Sequence, residues 1–197
     1  MAKANDPRAV ANYVLSTRRH LGLDTTNLEL QKLLFFCHSN HLLATGRRIM
    51  SGHFEAWKYG PVHPIVYRAF KEYRGNTIQM HAVGVDPFTK QELPLQEISD
   101  VEERRIVMST VSTLSKLSAG QLVDLSHRSG GAWHETVLQA QQQGVLGMRI
   151  TDDTIFSCAR RTKLVQFDAD RRGGADFGAD EEVRFYVEEP IAGYGPG

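Results

Sequence analysis

Apolar residues recur along most of the chain at the three-to-four spacing of helices rather than the alternation of strands. Asp6-Pro7 reads as a helix start, with Asp as N-cap and Pro at the first helical position. Val10, Val14 and Leu21, with Tyr13 and Thr17, make one stripe, and Gly22 ends it. Thr26 and Glu29 are spaced as a capping box. The helix behind them is apolar on much of its circumference (Leu30, Leu33, Leu34, Phe35, Phe36, Cys37, Leu42, Leu43), so it belongs at the centre of a fold, and Gly46 stops it.

The stretch Glu55–Phe70 puts a Trp, two Tyr, two Pro and a Gly into one junction. It starts as a strand, breaks at Gly60-Pro61 and leaves as a helix from Pro64, with Ile65, Ala69, Phe70 and Tyr73 on one face and Gly75 closing it. Residues 76–98 have no clean period and read as a surface excursion with a short hairpin around Met80–Val85. Ser99–Glu102 reads as a second capping box, opening a helix with Val107, Val111, Leu114 and Leu117 inward. Ser118–Gln121 is a third, ahead of Leu122 and Leu125. Gly130-Gly131 break the chain before a helix carrying Trp133, Val137 and Ala140, and Thr151-Asp152-Asp153 open a last short helix. After Arg161 the pattern changes: Lys163–Phe167 and Val183–Val187 read as strands around a Gly/Asp-rich loop.

Composition adds little to this, but it excludes several classes. The 197 residues are 41% hydrophobic and 23% charged, ordinary for a globular chain. A chain of this size buries about 70% of its unfolded surface and needs no staples. Cys37 and Cys158 are too few and too separated for a disulfide framework, which fits a reducing compartment. No apolar run approaches a membrane span, and the start lacks a signal core, so a cytoplasmic location is expected. The net charge is zero, so no general nucleic-acid footprint is present and no nucleic-acid partner is expected. Charge is nevertheless uneven: residues 168–189 carry eight acids against three bases, −5, which leaves +5 on the rest.

No catalytic set assembles. His38 and His41 stand one turn apart beside Cys37, a spacing that can hold a metal, but no HExxH or CxxC accompanies them. The plainer reading is one core-edge and one exposed histidine. Asp124 and His127, three apart near His134, read as a structural pair at a helix end. Ser126 is adjacent to His127, and neighbours on a helix diverge by about 100°. A helix-turn-helix over residues 8–45 fails because its second helix is too apolar to face a groove. Trp57 and Tyr59 suit a protein interface or packing beneath the central helix.

Several of these segments together resemble a known family. Gln31 and Lys32 in LQKLLFF, then AWKYGPV with Trp57, Tyr59, Gly60 and Pro61, then Tyr67 in VYRAFK, resemble the Panacea domain, the SocA-like, phage-associated antitoxin family. Asp124 and His127 in LVDLSH, Trp133 in GAW and Ile150–Asp153 continue the resemblance over about residues 8–160. Ala132 replaces the family's Pro before Trp133.

The resemblance implies an antitoxin, encoded beside a toxin gene in bacteria and their viruses, that neutralises its cognate toxin by direct protein contact. It implies no catalysis, metal or cofactor. The alternatives are an adaptor presenting the toxin to a protease and, from another class, a metal-dependent hydrolase using His38, His41, His63 or His127. The expected architecture is mainly α: a compact helical domain, 1–160, around a buried central helix with a strand/turn junction, followed by a small β and acidic appendage, 161–197. The junction candidates for partner binding are Trp57, Tyr59, Gly60, Pro61, Tyr67 and Trp133. They either fix the chain path across the central helix or present a binding face. Oligomeric state is left open.

Overall fold

Asp6 starts the first helix as expected, its carboxylate accepting the Arg8 amide at 2.8 Å ahead of α1 (Pro7–His20). The computed structural model describes residues 4–144 and 149–162. Thr26 and Glu29 form the expected capping box at the start of α2 (Asn27–Thr45), and Gly46 closes that helix in the left-handed region at φ +67°. α2 is buried over most of its length and on all sides. It is the axis of the fold, with α1, α3 (Pro64–Phe70), α4 (Val101–Leu114), α5 (Ala119–His127) and α7 (Asp152–Thr162) packed around it. α6 (Ala132–Gln143) lies against α7 and α5.

A small antiparallel sheet, in the order β2-β1-β5, covers one side of α2. Its strands are β1 (Phe54–Trp57), β2 (Gly60–Val62) and β5 (Arg149–Ile150). Gly60-Pro61 does not break the strand. Trp57 pairs with Gly60 and Ala56 with Pro61, so the chain reverses through Lys58-Tyr59. Pro61 is tolerated because β2 is an edge strand and needs no amide donor on its open side. β5, which pairs Ile150 with Phe54, was not anticipated.

Other expectations shift by a residue or a turn. Leu21 is exposed rather than inward, because it lies beyond the end of α1 as its C-cap. On α3 the buried residues are Val66 and Phe70, while Ile65 and Ala69 face solvent. Pro64 fixes the entry of that helix, and the apolar stripe is turned by one position onto α1 and α2. The cap of α4 is Asp100, accepting from the amides of Glu102 and Glu103, and not Ser99. Ser118 and Gln121 do form a capping box for α5. The excursion hairpin lies at β3 (Gly84–Val85) and β4 (Glu92–Leu93), later than Met80–Val85.

Ahead of that hairpin the chain runs as a strap along α1. Arg8 donates to Val83 O, Asn12 exchanges two hydrogen bonds with Ala82, and Arg19 donates to Ile78 O. These side chains recur at helical spacing, so the polar face of α1 is used to hold backbone. The expected β appendage of 161–197 lies outside the described residues, except for the end of α7. No helix among the described residues is long and apolar enough to cross a membrane.

Candidate functional site

Lys32 sits on the sheet-facing side of α2 with no exposed surface. Its Nζ donates to Pro61 O at 3.0 Å. One position earlier, the Gln31 side chain accepts the His63 amide at 2.8 Å and donates to Asn27 Oδ1 at 3.0 Å. Two consecutive side chains of the central helix therefore hold the backbone of β2 and the residue after it. Trp133 holds the other side of the turn: its Nε1 donates to Trp57 O at 2.9 Å. The tip, Lys58-Tyr59, is thus fixed through the carbonyls of Trp57 before it and Pro61 shortly after it.

Gly60 has φ +96°, a conformation that glycine adopts freely and other residues rarely do. Its open side is closely filled. A Cβ there would lie 2.6 Å from Ser126 Oγ, 2.9 Å from Lys32 Nζ and 3.0 Å from His127 Nε2. Ser126 and His127 therefore converge on one point, although they are neighbours. His127 is the last residue of α5, and its ring turns over to stack on Trp133 with centroids 3.9 Å apart. Ser126 Oγ donates to Val123 O, so it forms no nucleophile pair with the imidazole. No hydrogen bond or ion pair joins Asp124 to His127, and Asp124 is exposed. The expected pairing at this helix end is replaced by the aromatic stack.

Burial pulls the Lys32 ammonium down to about 7. Burial, with Lys32 nearby, lowers His127 to about 4, and burial alone accounts for most of the fall of His63 to about 4. Both imidazoles are neutral in the fold at pH 7. As pH falls below the ordinary histidine value of 6.5, the unfolded chain takes up these protons first. Their contribution is therefore complete above pH 6.5 and lost progressively towards pH 4. The urea midpoint is expected to drop across this window, and His63→Gln should flatten part of the drop. A midpoint constant from pH 6.5 to 4 would contradict the buried, neutral assignment.

The His38/His41 pair is held by other contacts. His38 and His41 are both buried, contrary to the expectation of one exposed ring. Each is accommodated by a polar partner: His38 Nε2 lies 3.0 Å from Asp152 Oδ1, and His41 Nδ1 lies 2.7 Å from Arg47 O. Asp152 also binds Arg48, which ties α7 to the end of α2. Burial raises Cys37. Among the described residues no three His, Cys, Asp or Glu side chains come together to hold a metal.

At the surface the junction is aromatic. Trp57 is half-buried, with its Nε1 donating to Glu55 Oε2 at 2.8 Å and its ring edge-on to Tyr67 at 4.8 Å. Tyr59 is 61% exposed and does not pack beneath the central helix. Of the residues singled out in the sequence, Gly60, Pro61, Gln31 and Lys32 are buried supports. Trp57, Tyr67, His127 and Trp133 are intermediate, and Tyr59 projects. Ser126 and His63, at the centre of the support, were not singled out in these roles. Their only sequence signals were the LSH triplet and a His just before Pro64.

The sequence model of the family described as Antitoxin SocA-like, Panacea domain matches residues 30–134. Antitoxin SocA of Caulobacter vibrioides (strain NA1000 / CB15N) is 38% identical over 159 residues, covering 81% of this chain and 85% of that protein. No solved structure matches.

Proposed function

The chain belongs to the Antitoxin SocA-like, Panacea domain family, and on that premise we propose that it neutralises its cognate toxin by direct contact through the turn that carries Tyr59. It is the antitoxin of a toxin–antitoxin pair and not an enzyme. The contact is made in the cytoplasm.

One observation carries this reading. Gln31, Lys32 and Trp133 all hold backbone around one turn, and that turn presents an aromatic residue to solvent. Exposed Tyr on a fixed backbone gives large contact area at little entropic cost, which is the character of an interface anchor. Trp57 and Tyr67 flank it, locked edge-on to each other.

Tyr59→Ala is expected to weaken binding to the toxin by about 2 kcal/mol or more, roughly thirtyfold, with the melting temperature almost unchanged. Trp57→Ala should lower both, because Trp57 is part of the sheet as well as the surface. The measurements are calorimetric affinity for the product of the neighbouring reading frame, relief of its growth arrest, and thermal unfolding. Unchanged affinity of the Tyr59 variant would move the interface elsewhere.

A further inference from the structure

The aromatic turn lies in a stretch with a strong local charge. Between Trp57 and Arg74 the bases are Lys58, Arg68, Lys71 and Arg74, and the single acid is Glu72, a net of +3 on a chain whose total is zero. All four bases are exposed, and none forms an ion pair with any described residue. Nearby, the Glu55 carboxylate is turned to Trp57 Nε1 and His53 and forms no ion pair with any of the four. Elsewhere, Arg8, Arg18, Arg48 and Arg105 each pair with a carboxylate. The bases in and after the turn are left open, as are Arg47, Lys90, Lys116 and Arg128, but only this stretch sets four of them in one run with an exposed aromatic anchor.

We infer that this surface recognises an acidic patch on the toxin, with an apolar pocket for Tyr59 at its centre and carboxylates around it facing Lys58, Arg68, Lys71 and Arg74. The inference rests on the proposed toxin contact at Tyr59 and specifies the chemistry of the partner. Tyr59 and Ile65 supply apolar area, being 61% and 38% exposed, and the exposed bases of the same stretch supply the positive charge. Interfaces are built in this way, with an anchor inside and charges outside, and the rim sets association rate and partner choice more than affinity.

A single-stranded nucleic acid also combines charge with stacking, but it needs free aromatic faces. Here Trp57 and Tyr67 are locked edge-on to each other, and the Tyr59 ring has the Lys58 ammonium 5.5 Å from its centroid. An acidic protein surface is the better complement.

The test uses the full chain, the product of the neighbouring reading frame, and the variant Arg68→Glu/Lys71→Glu/Arg74→Glu, which spares Tyr59. Association rates are measured by stopped flow at about 50 mM and about 500 mM salt, where the Debye length contracts several-fold. At low salt the triple variant is expected to associate at least about tenfold more slowly than wild type, and at high salt the gap should close. Its melting temperature should match wild type, since the three residues are exposed and unpaired; rates are compared only after that check, with Arg68→Gln/Lys71→Gln/Arg74→Gln as the milder substitute. Equal rates at low salt would overturn the inference, as would a loss identical at both salts, which would reflect shape and not charge. A fluorescent 20-nucleotide strand bound by wild type and released by the variant, with toxin rates unchanged, would overturn it in favour of nucleic acid. Tyr59→Ala separates the two levels: if it abolishes binding while the charge variants do not, the turn is the contact and only the acidic complement fails. If neither changes binding, the surface itself is wrong.

Discussion

Gly60→Ala is expected to be among the most damaging single substitutions in this protein, lowering stability by about 2–5 kcal/mol. Two costs add. The backbone at φ +96° disfavours any Cβ by about 1–2 kcal/mol. The new methyl would also sit 2.6 Å from Ser126 Oγ and 2.9 Å from Lys32 Nζ, both buried and held by hydrogen bonds, so overpacking adds about 1–3 kcal/mol. Gly22→Ala separates the terms. Gly22 has φ +72° with nothing within 4 Å of the new atom, so it reports strain alone. Adding Ser126→Ala to Gly60→Ala should recover part of the crowding term, visible as coupling in a double-mutant cycle. For a domain of this size the Gly60 variant should melt about 5–15 °C lower. A change no larger than that of Gly22→Ala would remove the close approach from the account of the turn.

Lys32→Met should leave a different signature. The substitution keeps most of the volume but leaves Pro61 O buried without its donor, at a cost of about 1–3 kcal/mol. It also removes a titration. Burial holds Lys32 at about 7 against 10.5 when free, so between these values the unfolded chain binds the extra proton. Stability from this group therefore rises as pH rises from 7 to 10.5, by up to about 1.4 kcal/mol per pH unit, and is least below pH 7. The wild-type protein should gain stability relative to Lys32→Met across that window, measured by urea titration at several pH values. Parallel curves for the two proteins would mean that Lys32 is charged or solvated in the fold.

How much of this was legible depended on whether the signal was local. Capping boxes at Thr26–Glu29 and Ser118–Gln121 are four-residue patterns, and both stand in the structure as read. The burial of α2 was legible because apolar residues occupy so much of its circumference. What failed was long-range. β5 is two residues whose only reason to be a strand is the edge of β1, nearly a hundred positions away. His38 and His41 looked like a half-exposed pair because the partners that allow their burial, Asp152 and Arg47 O, lie off the helix. For the site, AWKYGPV contains the turn, but the break expected at Gly60-Pro61 falls at Lys58-Tyr59. The roles within it were not legible: a lysine beside Gln31 gives no sign of burial, and only the fold shows it reaching a carbonyl inside.

The strap along α1 has a consequence for the order in which the molecule comes together. α1 is made first, yet the backbone carbonyls its polar face must hold belong to residues 78–83, and the side chain of Asn5 just ahead of it binds Glu103. At about 5–20 residues per second, roughly 5–20 s of synthesis separate the helix from its last partner. Through that interval α1 has α2 and then α3 to pack on, but its polar face has no strap to hold and its contact with α4 is missing. Since α1 packs on α2, α3 and α4, the axis is covered only after α4 has emerged. The antitoxin is therefore committed to its fold late in translation, and a ribosome stalled before that point releases a chain whose central helix is still partly bare.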